Sequence, residues 1–258
     1  MQSKTVETRH APVRCLEGGS GEALVYLHGA GGLTENDPLL AQLATKFHVH
    51  APFLPGYGET AECATLRDML DFTLHGWDVV EALNLKNPIL VGHSMGGMIA
   101  AEMAAAAPND VSRLALICPA GLWLDDHPIP DMFSLLPYEL PKYLFHDPEA
   151  GAKLMTSGLD MSDPKFLQDY LIRNARQMGM AGKILFPVPE RGLAERLYRI
   201  KARTVIVWGQ SDRMIPPVYG PAFQSAIAGA KLVTIPEAGH MVILEQPAKV
   251  AQAIASLA

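Results

Sequence analysis

The sequence predicts an α/β protein built on a mostly parallel, doubly wound sheet, and three observations carry that prediction. Short apolar runs alternate with longer segments of helical periodicity, the pattern of repeated βαβ units. Glycine-rich turns follow several of those runs, at Leu27-His28-Gly29, Val91-Gly92-His93 and Trp208-Gly209, where a parallel sheet presents its binding loops. Between Leu124 and Ile200 the alternation stops, and a stretch that long reads as a helical insertion rather than a loop.

Composition bounds the partners. The chain has 258 residues, 49% hydrophobic and 19% charged, enough for one large domain with an insertion. Its net charge is −6 and it has no run of Lys or Arg, which argues against nucleic acid or an anionic membrane as partner. Cys15, Cys63 and Cys118 are odd in number and widely spaced, matching no zinc or disulfide pattern, so reduced thiols are expected. The polar amino terminus lacks the apolar core of a signal peptide, and no apolar stretch reaches membrane-spanning length. A soluble, cytoplasmic protein is the expectation.

Taken in order, residues 4–17 read as two short strands around Ala11-Pro12, and Glu17-Gly18-Gly19-Ser20-Gly21 as a tight turn into the strand Ala23-Leu24-Val25-Tyr26-Leu27. The loop His28-Gly29-Ala30-Gly31-Gly32 has neither G-x-G-x-x-G nor a Lys-Ser/Thr ending, so it is a poor nucleotide site. Asn36-Asp37-Pro38 starts a helix that continues to Lys46, and 47–53 forms a strand closed by Leu54-Pro55-Gly56-Tyr57-Gly58. Met69, Leu70, Trp77, Val80 and Leu83 recur at helical spacing. The strand Ile89-Leu90-Val91 follows, then an alanine-rich helix ended by Pro108, then the strand 114–118.

The insertion 124–200 holds 8 of the 20 prolines and a helical piece over Lys165 to Met178. Its aromatics and methionines would serve either as a small core of their own or as pocket walls. Strands resume at 204–209 and 231–235, with a helix over 218–228 between them and one closing helix over 243–257.

Gly92-His93-Ser94-Met95-Gly96-Gly97 carries the chemistry. A strand, a sharp turn bearing a serine and a helix form a nucleophile elbow, in which glycines two residues either side of Ser94 let strand and helix backbones approach. Met95 N–H at the helix start is the natural first oxyanion donor. The second is placed at Ala30 in the H-G-rich loop, with Gly31 as the fallback.

A serine needs a base, and the base needs an acid to fix its tautomer. His240 lies beyond a strand's carboxyl end, as Ser94 does, while His93 and His28 are assigned structural roles. Asp212 follows the penultimate strand at the same edge, with Asp125 or Asp126 as the rival position. The chain order Ser94, Asp212, His240 results.

With Leu54-Pro55-Gly56-Tyr57-Gly58, Gly209-Gln210-Ser211-Asp212 and Ala238-Gly239-His240 added to the loop at His28 and the elbow, the chain resembles α/β-hydrolase fold enzymes over nearly its whole length. The resemblance implies an eight-stranded sheet with a helical cap inserted after the sixth strand, covering the serine: 1–123 and 201–258 form the core and 124–200 the cap. It implies no cofactor and no metal. Haloalkane dehalogenases and epoxide hydrolases use aspartate where Ser94 stands, which argues against both. Meta-cleavage carbon–carbon hydrolases typically carry tryptophan after the catalytic histidine, where this chain has Met241. Hydrolysis of a small carboxylic ester therefore ranks first and carbon–carbon hydrolysis second, with a small-molecule receptor and a perhydrolase as further alternatives. Substrate-binding residues and oligomeric state stay open.

Overall fold

The computed structural model describes residues 1–156, 160, 162–187 and 191–257. Within them the apolar runs become eight strands: β1 Gln2–Glu7, β2 Pro12–Gly18, β3 Ala23–Leu27, β4 His48–Pro52, β5 Ile89–His93, β6 Arg113–Ile117, β7 Arg203–Gly209 and β8 Lys231–Ile235. They form one sheet in the order β1-β2-β4-β3-β5-β6-β7-β8. The pairings β1–β2 and β2–β4 are antiparallel and the others parallel. Every residue of β5 and β6 is buried, as central parallel strands covered on both faces require.

The helices are α1 Pro38–Leu43, α2 Met69–Ala82, α3 Met95–Ala106, α4 Leu140–Leu144, α5 Pro148–Thr156, α6 Pro164–Leu185, α7 Tyr219–Ala226, α8 Val242–Glu245 and α9 Pro247–Ala255. Asp37 starts α1 as the sequence predicts, its Oδ1 accepting from Leu39 and Leu40 N–H at 2.9 and 3.1 Å. In α3 the fully buried Ala100, Ala101 and Ala104 let the helix lie close on β5 and β6. The expected closing helix is corrected. Pro247 has no N–H to donate, so α8 stops at Glu245 and α9 begins afresh after Gln246.

Strand order places the site. From β3 the chain steps outward to β4, then crosses back to β5 on the other side of β3, so the loops after β3 and β5 diverge and leave a crevice at the carboxyl edge. Between β6 and β7 the described residues hold α4, α5, α6 and a 3₁₀ turn, Leu197–Arg199, and no strand. Residues 157–159, 161 and 188–190 of the expected insertion lie outside the described residues, as does residue 258. Helix α6 runs past Met178 to Leu185 because Met180, Ala181 and Ile184 are buried and the helix packs on α2 and α3.

Candidate active site

Ser94 occupies the turn between β5 and α3 with φ 54° and ψ −117°, a conformation side chains rarely adopt. Close packing holds it there. A Cβ on Gly92 would stand 2.2 Å from Gly96 O, and one on Gly96 would stand 2.1 Å from Leu27 O, so neither position admits a side chain. Ser94 N–H donates to Ile117 O at 2.9 Å, and Ser94 O accepts from Ala120 N–H at 3.1 Å, which fixes the turn to the β6 edge. Ser94 itself is half-buried while its neighbours on both sides are buried.

His240 arrives on the loop after β8 and Asp212 on the loop after β7. Gly209 lets these loops touch, since a Cβ there would lie 2.1 Å from Gly239 O. Ser211 N–H donates to Ala238 O at 2.8 Å and Gln210 N–H to Ile235 O at 2.9 Å, joining the two segments. The result is a continuous chain: His240 Nε2 lies 2.9 Å from Ser94 Oγ, and His240 Nδ1 lies 2.8 Å from Asp212 Oδ2. Asp212 Oδ1 accepts from Met214 and Ile215 N–H at 2.9 and 2.8 Å, which aims the other oxygen at the imidazole. The rivals lie elsewhere: Asp125 and Asp126 are exposed, and Asp125 accepts from Trp123 Nε1.

The other two histidines beside Ser94 brace the site. Leu54 N–H donates to His28 Nε2 at 3.1 Å, so Nδ1–H donates to Gly29 O at 2.8 Å. Burial lowers the His28 pKa to about 4, and the ring is neutral. His93 Nε2–H donates to the backbone carbonyl of His240 at 2.9 Å, and burial, with His240 nearby, lowers its pKa to about 3. That link between the elbow and the His240 loop is not readable in the sequence, because it joins positions 147 residues apart through a side chain and a main-chain oxygen. His146 also acquires a partner, its Nδ1 lying 2.7 Å from Ser211 Oγ beside Asp212.

Ala30 is buried and Gly31 exposed. Neither Ala30 N–H nor Met95 N–H is bonded to another described residue. The loop bearing Ala30 runs against the serine, since a Cβ on Gly29 would come within 3.3 Å of Ser94 Cβ. A cleft opens over Ser94, lined by Met98, Ile129, Phe133, Ile184 and Met214, with Arg191 also on its wall. Cys118 lies close enough to Asp212 and His240 to share a metal with them. Burial, then the Asp212 charge, raises its thiol well above the ordinary range, which disfavours the thiolate a metal takes, and both His240 nitrogens are already engaged by Ser94 and Asp212.

A sequence model of the Alpha/beta hydrolase family matches residues 24–253. The chain belongs to that family. It is 26% identical over 245 residues to Lipase 1 of Psychrobacter immobilis, covering 88% of this chain and 73% of the lipase. It is 27% identical over 247 residues to the 2-hydroxy-6-oxo-6-phenylhexa-2,4-dienoate hydrolase of Burkholderia cepacia, covering 87% and 83%. Among solved structures, a membrane phospholipase A described as a bacterial virulence factor superposes with TM-score 0.81 at 22% identity, over 99% of this chain and 85% of that one. At that identity the likeness speaks to the fold. None of the helices in the described residues is long and apolar enough to cross a membrane.

Proposed function

We propose that the protein hydrolyses small carboxylic esters through an acyl-enzyme, with Ser94 as nucleophile, His240 as general base and acid, and Asp212 as the group that orients the imidazole. The observation that carries this reading is the relay of two hydrogen bonds, 2.9 Å from Ser94 Oγ to His240 Nε2 and 2.8 Å from His240 Nδ1 to Asp212 Oδ2. His240 takes the Ser94 proton as Oγ attacks the ester carbonyl, and the unbonded Met95 and Ala30 N–H groups receive the oxyanion. The imidazolium then protonates the leaving alcohol. In the second half His240 activates water, which attacks the acyl-enzyme and returns Ser94. The strain at Ser94 supports the role, since such backbone persists where the surroundings over-determine it.

Residues 124–200 act as the cap in this reading. Ile129, Phe133 and Ile184 give the acyl or alcohol portion an apolar wall, which favours small hydrophobic esters and water as the reactants. The test is steady-state turnover of a panel of p-nitrophenyl esters of increasing chain length by the wild type and by Ser94→Ala. The expected result is multiple turnover by the wild type, none above background by the variant, and phosphonofluoridate labelling of the wild type alone. Full activity in Ser94→Ala overturns the reading, and a single burst without a steady state points instead to a receptor that keeps the pocket.

Similarity to the Burkholderia cepacia dienoate hydrolase favours a second reading, cleavage of a carbon–carbon bond in a vinylogous 1,5-diketone. Met241 weighs against it, and one such diketone in the same panel separates the two reactions.

A further inference from the structure

Glu17, His48 and His50 gather on the sheet away from Ser94. Glu17 stands opposite His50 in the antiparallel β2–β4 ladder, and the two-residue period of a strand puts His48 on the same face as His50. His48 pairs with Ala23 at the start of β3, so the cluster lies at the amino end of the parallel strands, whereas Ser94 follows the carboxyl end of β5.

The three side chains converge. His48 Nε2 is 2.8 Å from Glu17 Oε1, and His50 Nδ1 is 3.6 Å from the same oxygen. The two rings are 4.3 Å apart, and one donor atom from each residue lies within 4.8 Å of the others. Lys4 Nζ holds the second carboxylate oxygen, Oε2, at 2.7 Å, which leaves Oε1 to the histidines. His50 is the telling member. It is 2% exposed, and neither ring nitrogen has a hydrogen-bond partner among the described residues. Buried imidazoles ordinarily satisfy at least one nitrogen, as His28 and His93 do here; His75 also lacks a partner among the described residues, but only His50 belongs to a cluster of donor atoms.

We propose that Glu17 Oε1, His48 Nε2 and His50 Nδ1 form a binding site for a divalent transition-metal ion of the Zn²⁺ class. Two imidazoles and a carboxylate are the donor set such ions take. Tetrahedral Zn²⁺ with ligands about 2.0–2.1 Å away requires donor atoms roughly 3.3 Å apart, and the observed 2.8 and 3.6 Å bracket that spacing. The His48 and Glu17 side chains are 38% and 26% exposed, which gives the ion a way in and water the fourth position. The ion clamps β2 to β4 and takes no part in the chemistry at Ser94. Because it binds the folded chain, it stabilises that state in proportion to its occupancy.

The experiment is a titration of the full-length protein with Co²⁺, read by the visible d–d absorption of tetrahedral Co²⁺, followed by displacement with Zn²⁺ and by the thermal midpoint with and without Zn²⁺. The expected result is one ion per chain and a midpoint that rises with Zn²⁺. His48→Gln, Glu17→Gln and His50→Phe should each weaken binding by at least about tenfold, since a lost ligand costs no less than a lost outer-shell partner. Circular dichroism reports whether each variant is folded, and the partly exposed His48 and Glu17 keep the test valid should His50→Phe fail. No tetrahedral Co²⁺ spectrum at ~1 mM metal, where a site with Kd of about 100 μM is about nine-tenths filled, overturns the proposal. Wild-type affinity in folded His48→Gln and Glu17→Gln overturns it equally, by placing the ion elsewhere.

Discussion

In the proposed mechanism the imidazole of His240 works only if its tautomer and its position are both held, and different residues hold them. Asp212 Oδ2 accepts from Nδ1–H, which leaves Nε2 with a lone pair for the Ser94 proton. Asp212→Asn presents an amide that can donate to Nδ1, moving the ring proton to Nε2. The expected effect is a loss of about 10⁴-fold in kcat toward p-nitrophenyl esters with the fold intact, measured by steady-state kinetics beside circular dichroism. His93 fixes position instead, by donating to the His240 carbonyl. His93→Phe fills much the same volume but leaves that buried carbonyl unpaired, at a cost of roughly 1–3 kcal/mol. If the loop relaxes to recover it, Nε2 drifts from Ser94 Oγ. A fall in kcat of about tenfold with KM little changed is expected, and an unchanged kcat would remove His93 from any positioning role.

At the scale of elements, contact between strand and helix is set by glycine, and its consequences are measurable. A Cβ at Gly96 would meet the backbone of Leu27 at 2.1 Å and of His28 at 2.6 Å, with no flexible side chain to give way. Gly96→Ala should therefore destabilise the fold by about 3 kcal/mol or more, read as a lower urea midpoint at unchanged slope. Gly179, exposed on α6 with open space around its would-be Cβ, is the counter-case: Gly179→Ala should stabilise by about 0.5–1 kcal/mol. This is also where the sequence was most readable. Ser94, Asp212 and His240 sit on strand-end loops whose glycines and flanking apolar runs are local signals, so their convergence follows from topology alone. The break at Pro247 is equally local, but the apolar pattern continues through it and masks it. What stayed hidden depends on pairing at a distance: the bond from His93 to His240, the tether from His146 to Ser211, and the grouping of Glu17 with His48 and His50, which exists only once β2 and β4 are set in register.

For the whole molecule, buried neutral histidines make stability depend on acidity. His28 and His75 are pushed down to about 4 and His93 to about 3, burial being the main cause in each. Their folded pKa values lie below the unfolded value of about 6.5, so below that pH the unfolded chain binds more protons. The stability they allow is complete above pH 6.5 and is lost as pH falls toward 4. At pH 5 the loss is about 2 kcal/mol for each, about 6 kcal/mol together, against the 5–15 kcal/mol of a typical domain. Asp37 acts in the opposite sense, because burial raises its pKa, but only at pH values near the carboxylate range. The urea midpoint at pH 5 should thus fall far below that at pH 7.5. His75 isolates one share of the effect, since both of its nitrogens are buried without a hydrogen-bond partner among the described residues and it lies apart from the Ser94 relay. His75→Leu should leave ester turnover at pH 7.5 unchanged and recover about 2 kcal/mol of the difference between the two pH values. An identical pH dependence in wild type and variant would mean that His75 charges as readily in the folded protein as in the unfolded chain, and that acid acts elsewhere.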